Sequence, residues 1–378
     1  MPRLSDSMTK PALTPLAQSL PASVPFVGPE TQERQMGRPF VARLGANESG
    51  FGPSPKAIAA MQKAAAEAWM YGDPESHDLR AALADFHKIK MDNIMIGGGI
   101  DGLLGLVVRL YVGGGDAVVT SDGAYPTFDY HVAGFGGALH KVPYKDDHED
   151  PHALIAKATE VGAKLIYFAN PDNPMGSWHD ADVVQDLIDR VPTGCLLILD
   201  EAYADLAPAG TTPPLDTTRQ NVLRMRTFSK AHGLAGARVG YAIGDPETIS
   251  AFNKVRNHFG MSRIGQAGAL AALADTDWLA HVQGRVSDAR SAISAIAREN
   301  GLTPLPSATN FVTIDCGDDG AFARAVLTHL VANGIFVRMP FVAPQDRCIR
   351  VSCGPDAEVA AFAAALPNAL AAAHKEMG

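Results

Sequence analysis

No stretch of this 378-residue sequence reaches the roughly 18–20 consecutive apolar residues that a membrane span requires. The opening, MPRLSDSMTKPALTPLAQSLP, lacks the apolar core of a secretory signal, so none is expected there. Cysteine is scarce. Cys195, Cys316, Cys348 and Cys353 form no C-x-x-C pair, and no histidine stands at zinc-finger spacing from them. We expect buried free thiols in strands and a reducing, cytoplasmic location. Charge is thin as well, at 19% of residues, and its balance is acidic: 32 Lys and Arg against 41 Asp and Glu leave −9. With no long basic run, this argues against a sequence-independent nucleic-acid binder. Repeats and low-complexity tracts are absent. His77, His87, His131, His140, His148, His152, His179 and His258 are scattered, so no metal site is expected.

What is present suffices for a large core: 47% of residues are hydrophobic. The length suggests about two domains. Residues 1–40 are rich in proline, show little periodicity and read as an extended arm. Ser54-Pro55 reads as an N-cap with proline at the first helical position, opening a helix to about Trp69. A second helix is expected over Asp78–His87. Short apolar runs then alternate with helix-length segments. Strands are expected at Asn93–Ile96, Ala117–Thr120, Leu139–Val142, Leu165–Ala169, Leu196–Leu199 and Val222–Thr227. Helices are expected at Gly102–Leu110, Tyr130–Phe135, Pro151–Glu160 and Ala181–Asp189. Continuous apolar strands alternating with helices imply an α/β fold with a mostly parallel sheet, covered on both faces. From Glu247 to Glu299 a long helical region runs, broken near His258–Ser262. Strands near Phe311–Ile314, Ile335–Val337 and Ile349–Ser352 follow, with helices at Ala321–Ala332 and Ala357–Ala373, giving a smaller α+β domain. The expected division is an arm (1–40), a large domain (56–244) and a small domain (41–55 and 245–378) containing a long linking helix.

Ligands of such sheets sit at the carboxyl ends of the strands, and four polar clusters fall there. Gly97–Gly102 follows one strand and opens a helix, where free backbone N–H groups can meet an anion. Asn170-Pro-Asp-Asn-Pro-Met-Gly176 follows another, and Asn173 can donate from its amide. Asp200 closes a strongly apolar strand ahead of Glu201, Ala202 and Tyr203; a buried carboxylate there needs a cationic partner. Arg226-Thr-Phe-Ser-Lys230 and Gly236-Ala-Arg238 offer two hydroxyls, an arginine and a lysine. Hydroxyls with arginine make an oxyanion site, and an uncharged lysine is a nucleophile toward aldehydes. One ligand satisfies all four clusters. Its phosphate would rest on the Gly98–Asp101 turn with Thr227, Ser229 and Arg238. Its cationic ring nitrogen would meet Asp200, and its aldehyde would react with Lys230. That ligand is pyridoxal 5′-phosphate.

The string T-F-S-K-A-x-G-L-A-G-x-R-x-G-Y over Thr227–Tyr241 follows N-P-D-N-P-x-G and D-E-A-Y in order. With these motifs the chain resembles the fold-type I pyridoxal-phosphate aminotransferases, and within them the histidinol-phosphate aminotransferase branch. The resemblance covers about Ala42 to Gly354. It implies that Lys230 carries the cofactor and then shuttles the substrate's α-proton, that Asp200 pairs with the ring nitrogen, and that Tyr203 and Asn173 bond the ring hydroxyl. Tyr125 would stack on the ring. Thr227, Ser229, Arg238 and the backbone of Gly99 and Ile100 would hold the phosphate. Tyr71 would reach the partner subunit's phosphate, which implies a two-fold dimer with composite sites. Arg350 would clamp a substrate carboxylate, Arg338 would help bind a substrate phosphate, and Asn47 would line the pocket.

The implied reaction moves an amino group between an amino acid or amino-alcohol phosphate and 2-oxoglutarate. Three stretches depart from the branch's pattern. His258-Phe-Gly-Met-Ser-Arg263 replaces a Pro-Tyr-Asn-Val-Asn segment expected to border the pocket. Ile100-Asp101 replaces an acidic pair, and Ser49-Gly50 replaces Asn-Pro. Rival readings are a lyase resembling threonine-phosphate decarboxylase and a cofactor-binding regulator, although the arm shows no helix-turn-helix pattern. A nicotinamide oxidoreductase fits less well, because the G-x-G-x-x-G spacing of Gly97, Gly99 and Gly102 is not backed by a ribose-binding acid in a βαβ context.

Overall fold

A computed structural model describes residues 11–22 and 26–377 of the chain. Two short helices, α1 (Pro15–Ser19) and α2 (Pro29–Met36), precede β1 (Ala42–Arg43), α3 (Pro55–Ala65) and α4 (His77–His87). Alternation then begins: β2 (Ile94–Gly97), α5 (Gly99–Tyr111), β3 (Ala117–Ser121), α6 (Pro126–Gly134), β4 (Ala138–Val142) and α7 (Pro151–Val161). It continues through β5 (Leu165–Ala169), α8 (Ala181–Asp189), β6 (Leu196–Asp200), β7 (Val222–Thr227) and β8 (Gly240–Ile243). After α9 (Pro246–Ala251), α10 (Arg263–Leu273) and α11 (Thr276–Glu299) come β9 (Thr303–Pro304), β10 (Phe311–Asp315), α12 (Gly320–Ala332), β11 (Ile335–Phe336), β12 (Cys348–Ser352) and α13 (Asp356–Met377). Among the described residues, no helix is long and apolar enough to cross a membrane.

Seven strands form the central sheet in the order β2-β8-β7-β6-β5-β3-β4, and β8 alone runs antiparallel to its neighbours. The pleat explains the continuous apolar runs. Leu165, Tyr167, Leu196 and Ile198 pack with α5 and α6, whereas Ile166, Phe168, Leu197 and Leu199 pack with α7 and α8. Each such buried Leu or Ile contributes about 2 kcal/mol. A second core lies around β10, β12, α11, α12 and α13, and it takes in Ala42 and Leu44 from the chain's beginning through the parallel β1–β11 pair.

Several expectations need correcting. Residues expected as an extended arm contain α1 and α2. Proline occupies the first turn of each, and Thr14 caps the first of them. Gly99 to Asp101, expected as turn, form the first turn of α5. The strand β8 was not anticipated. The long helical region breaks a second time at Ala274-Asp275. Helices α9 and α10 bury Ile249, Ala269 and Ala272 among residues of the large sheet and its helices, so the expected boundary at 245 cuts ahead of two elements that pack with the sheet.

Candidate active site

The carboxyl ends of β2, β5, β6 and β7 share one edge of the sheet. Because β8 runs the other way, its start lies at that edge, and Arg238, two residues before it, is delivered there. Between these ends lies a cavity of about 320 Å³. It is lined by Ile100, Tyr125, Asn173, Asp200, Tyr203, Thr227, Ser229, Lys230 and Arg238, nine of the residues singled out from the sequence.

Asp200 ends β6 opposite Ala169 and Met225 of the flanking strands, on the same face as Ile198. It is 5% exposed. Tyr167 Oη donates to Oδ2 at 2.8 Å and the Ala202 amide donates to Oδ1 at 2.9 Å, yet no cation bonds it. Burial pushes its carboxyl up to about 6, against the pull of those donors and of Lys230. Burial, with Arg350 second, pulls the Lys230 amine down to about 8. Its Nζ donates to the Asn47 carbonyl at 3.1 Å and lies 5.4 Å from the centre of the Tyr203 ring. Tyr203 is buried, accepts from Asn47 Nδ2 at 3.1 Å and meets Phe311 edge to face. Burial raises the hydroxyls of both Tyr203 and Tyr125.

The other end of the cavity is an anion cradle. Thr227 Oγ1 donates to Ser229 Oγ at 2.8 Å and accepts the Ser229 amide at 3.0 Å. Arg238 Nη1 and Nη2 reach only backbone carbonyls, those of Ala235 at 3.0 Å and Gly98 at 3.2 Å. Gly99 has φ +80°, and a Cβ there would fall on the Arg238 guanidinium. The N-terminus of α5 opens at the same point, and its free N–H groups carry partial positive charge.

Arg350 stands on β12, with Nη2 donating to the Gly45 carbonyl at 3.3 Å and Nη1 in contact with Asn173 Oδ1. Burial lowers its guanidinium to about 10, and its Nε is buried without a partner. Arg338 pairs with Arg350 across an antiparallel bridge. Its guanidinium lies between Phe26, at 4.3 Å, and Phe336, at 5.1 Å, and contacts the Val27 carbonyl.

Not all the expected residues meet in the cavity. Asn47, expected to line it, is 2% exposed and stands behind Tyr203, with Ser352 Oγ donating to its Oδ1 at 3.0 Å. Arg338, Arg350 and Gly99 are also outside the lining, although Arg350 touches Asn173, which is part of it. Tyr71 is 77% exposed, with its ring 4.6 Å from that of Phe259. The divergent His258–Arg263 stretch, expected at the pocket, lies beside Tyr71 instead. Its Gly260 and Met261 line a separate cleft of about 850 Å³ with Arg80, Gly98 and Arg256. Sequence reasoning missed Tyr167, a polar tip in an otherwise apolar strand. A buried tyrosine hydroxyl demands a partner, and two-residue periodicity puts it on the face of Ala169, beside Asp200.

These residues fit pyridoxal phosphate. A buried acid bonded by no cation among the described residues, a neutralisable amine and a cradle closed to any side chain at Gly99 match a ring cation, an aldehyde and a phosphate. Fold and site define a pyridoxal-phosphate-dependent α/β enzyme. The family model "Aminotransferase class I and II" matches residues 41–366. The chain belongs to that family and is an aminotransferase. A crystal structure of histidinol-phosphate aminotransferase from Sinorhizobium meliloti, in complex with pyridoxal-5′-phosphate, is similar at 53% identity and TM-score 0.94, covering 98% of this chain and 100% of that one. Histidinol-phosphate aminotransferase from Moorella thermoacetica is 32% identical over 357 residues, 93% of this chain and 92% of its own length. That of Jannaschia sp. is 36% identical over 313 residues, 82% and 86% of the two chains.

Proposed function

We propose that this aminotransferase takes its amino group from an amino-alcohol phosphate of the histidinol-phosphate kind, or from an amino acid, and delivers it to 2-oxoglutarate. The observation that carries the reading is one cavity holding an amine poised near neutral pH and a buried acid without a cation. The names of the relatives support the donor, and the backbone bridge that sets Arg338 beside Arg350, whose charges feel each other, supports a substrate with anionic groups.

Pyridoxal phosphate, when bound, supplies an aldehyde for a lysine and a ring that draws electron density from the substrate's α-carbon. Lys230 Nζ is the attachment point and, once displaced by substrate, takes the α-proton and returns it. Asp200 holds the ring nitrogen protonated, and Tyr167 and the Ala202 amide keep its carboxylate in place. Tyr203 and Asn173 orient the ring hydroxyl, and Tyr125 covers the ring face. Thr227, Ser229, Arg238 and the backbone of Gly99 and Ile100 anchor the phosphate. Arg350 binds the substrate's anionic group and Arg338 extends the positive surface toward a second one. Asn47 acts through Tyr203 and the Lys230 amine rather than on substrate. Tyr71 completes the site of a second copy. The four cysteines are buried and unpaired, which suits a reducing compartment.

The test is an amino-transfer assay over a donor panel with 2-oxoglutarate. Turnover should be highest with histidinol phosphate, require the acceptor, and fall at least ~10³-fold in Lys230→Ala. Carbon dioxide release without an acceptor, or no turnover with any donor, would overturn the proposal.

A further inference from the structure

We propose that Asp172 positions and tempers the substrate's anion site: its side chain builds the turn that presents Asn173 to Arg350, and its negative charge weakens the hold on a substrate anion. This rests on the assignment of Arg350 as the substrate clamp.

Asp172 sits in the Asn170–Gly176 loop and is 2% exposed. Its Oδ2 accepts the Met175 amide at 3.0 Å, and its own amide donates to the Ser177 carbonyl at 2.9 Å. These bonds close a turn whose tip is Asn173, the residue that touches Arg350. From outside the loop, Tyr144 Oη donates to Asp172 Oδ1 at 2.9 Å, and Thr313 Oγ1 donates to the Pro174 carbonyl at 2.7 Å. Arg350 faces Asp172 with positive charge, the His148 ring faces it as well, and Glu149 faces it with a second carboxyl. Asp200 also faces Glu149, and Asp122 faces Tyr144.

Two adjacent buried carboxyls do not both ionise readily. Glu149 is 1% exposed, its carboxyl meets only Ser121 Oγ at 2.6 Å and the Ala169 amide at 2.9 Å, and burial raises it well above the usual range. Glu149 therefore keeps the proton. Asp172, with two donors and the Arg350 cation around it, is ionised above a pH of about 6. Protonating Asp172 leaves the turn's bonds in place but removes a negative charge beside Arg350. Arg350 is already fully charged below its lowered value of about 10. Anion affinity therefore rises as pH falls through about 6.

The experiment measures binding of inorganic sulfate, ionised throughout, to the holoenzyme by calorimetry between about pH 5 and pH 8. Wild-type affinity should rise about five-fold toward acid. Asp172→Asn, which keeps the turn without the charge, should bind at pH 8 as tightly as wild type does at pH 5, with a flat profile. Asp172→Ala should weaken binding at least ~10-fold at every pH, because the turn is lost. Tyr144→Phe should shift the wild-type limb upward by about half a pH unit, and Glu149→Gln should leave it unmoved. Asp200 is likewise raised to about 6 in the ligand-free chain, but in the holoenzyme the ring cation would hold it ionised, so a limb there reports Asp172. A limb that persists in Asp172→Asn, or a Glu149→Gln variant that abolishes it, overturns the inference. If Arg350→Ala binds sulfate like wild type, the clamp assignment itself falls.

Discussion

An amine attacks an aldehyde only after giving up its proton, and Lys230 stands where its charge is least welcome. Burial and the Arg350 cation pull it to about 8, against the Asp200 and Glu48 carboxylates. The sign follows directly. The folded value lies below the unfolded one near 10.5, so the folded protein holds fewer protons between those limits, and apoprotein stability rises with pH across that window. Below about 8 the amine is protonated in both states and the full cost of burying it applies. Attachment of pyridoxal phosphate to the apoprotein, fixed by borohydride and read by mass, should speed up about tenfold per pH unit below pH 8 and level off above it. A flat rate from pH 6 to 10 would rule this amine out as the attacking group. Much of the residue scale is legible because one strand-end motif carries the acid and the next carries the lysine and arginine together. Tyr167 was not, since its role depends on a hydrogen bond across two strands far apart in sequence. Asn47 was assigned to the lining from its place in the chain, whereas its side chain is turned into contacts with Tyr203 and Ser352.

In the proposed site the cofactor's phosphate rests at a strand–turn–helix junction, and β2–α5 shows how narrow the allowance there would be. Gly99 takes φ +80° at the point where α5 starts and where Arg238 crosses the Gly98 carbonyl. A methyl group there strains the backbone by about 1 kcal/mol and displaces the guanidinium. We expect Gly99→Ala to weaken pyridoxal phosphate binding at least ~10-fold while leaving the binding of phosphate-free pyridoxal within about two-fold, both measured by equilibrium dialysis. Equal losses for the two ligands would place the phosphate elsewhere. The same glycines explain why the first turn of α5 was read as loop. Their poor helix propensity is overridden by the packing of Ile100, Leu103 and Leu104 beneath the sheet. The strand β8 escaped notice because it is four residues long and bounded by glycines, and only its two neighbours make it a strand. Helices α1 and α2 do have a local signal in the sequence, a proline opening each after Thr14 and Gly28. The buried strands β5 and β6 were plain because both faces had to be apolar.

One chain leaves aromatic surface that a lone soluble body has no reason to show. Trp69, Tyr71 and Phe259 are 83%, 77% and 54% exposed, and Tyr71 and Phe259 pack ring to ring beside the large cleft at the β2 edge. The resemblance implies that Tyr71 reaches the partner subunit's phosphate, and Tyr71 lies outside its own chain's cavity. The proposed two-fold dimer would reconcile these facts, with each subunit lending Tyr71 to the other's cradle. Sedimentation equilibrium should therefore give twice the mass of one chain. Sharper still is complementation between two crippled variants. Lys230→Ala lacks the attachment point but keeps Tyr71; Tyr71→Ala keeps the lysine but lends nothing. In a mixed dimer, one site combines an intact lysine with an intact borrowed tyrosine, and the other carries both lesions. Random reassortment of equal amounts makes half the dimers mixed, so about a quarter of all sites should recover full turnover. Unfolding the two proteins together and refolding them should raise activity to that level above the sum of the parts. No gain after demonstrated subunit exchange would mean that each chain builds its site alone and that the exposed tyrosine serves another purpose.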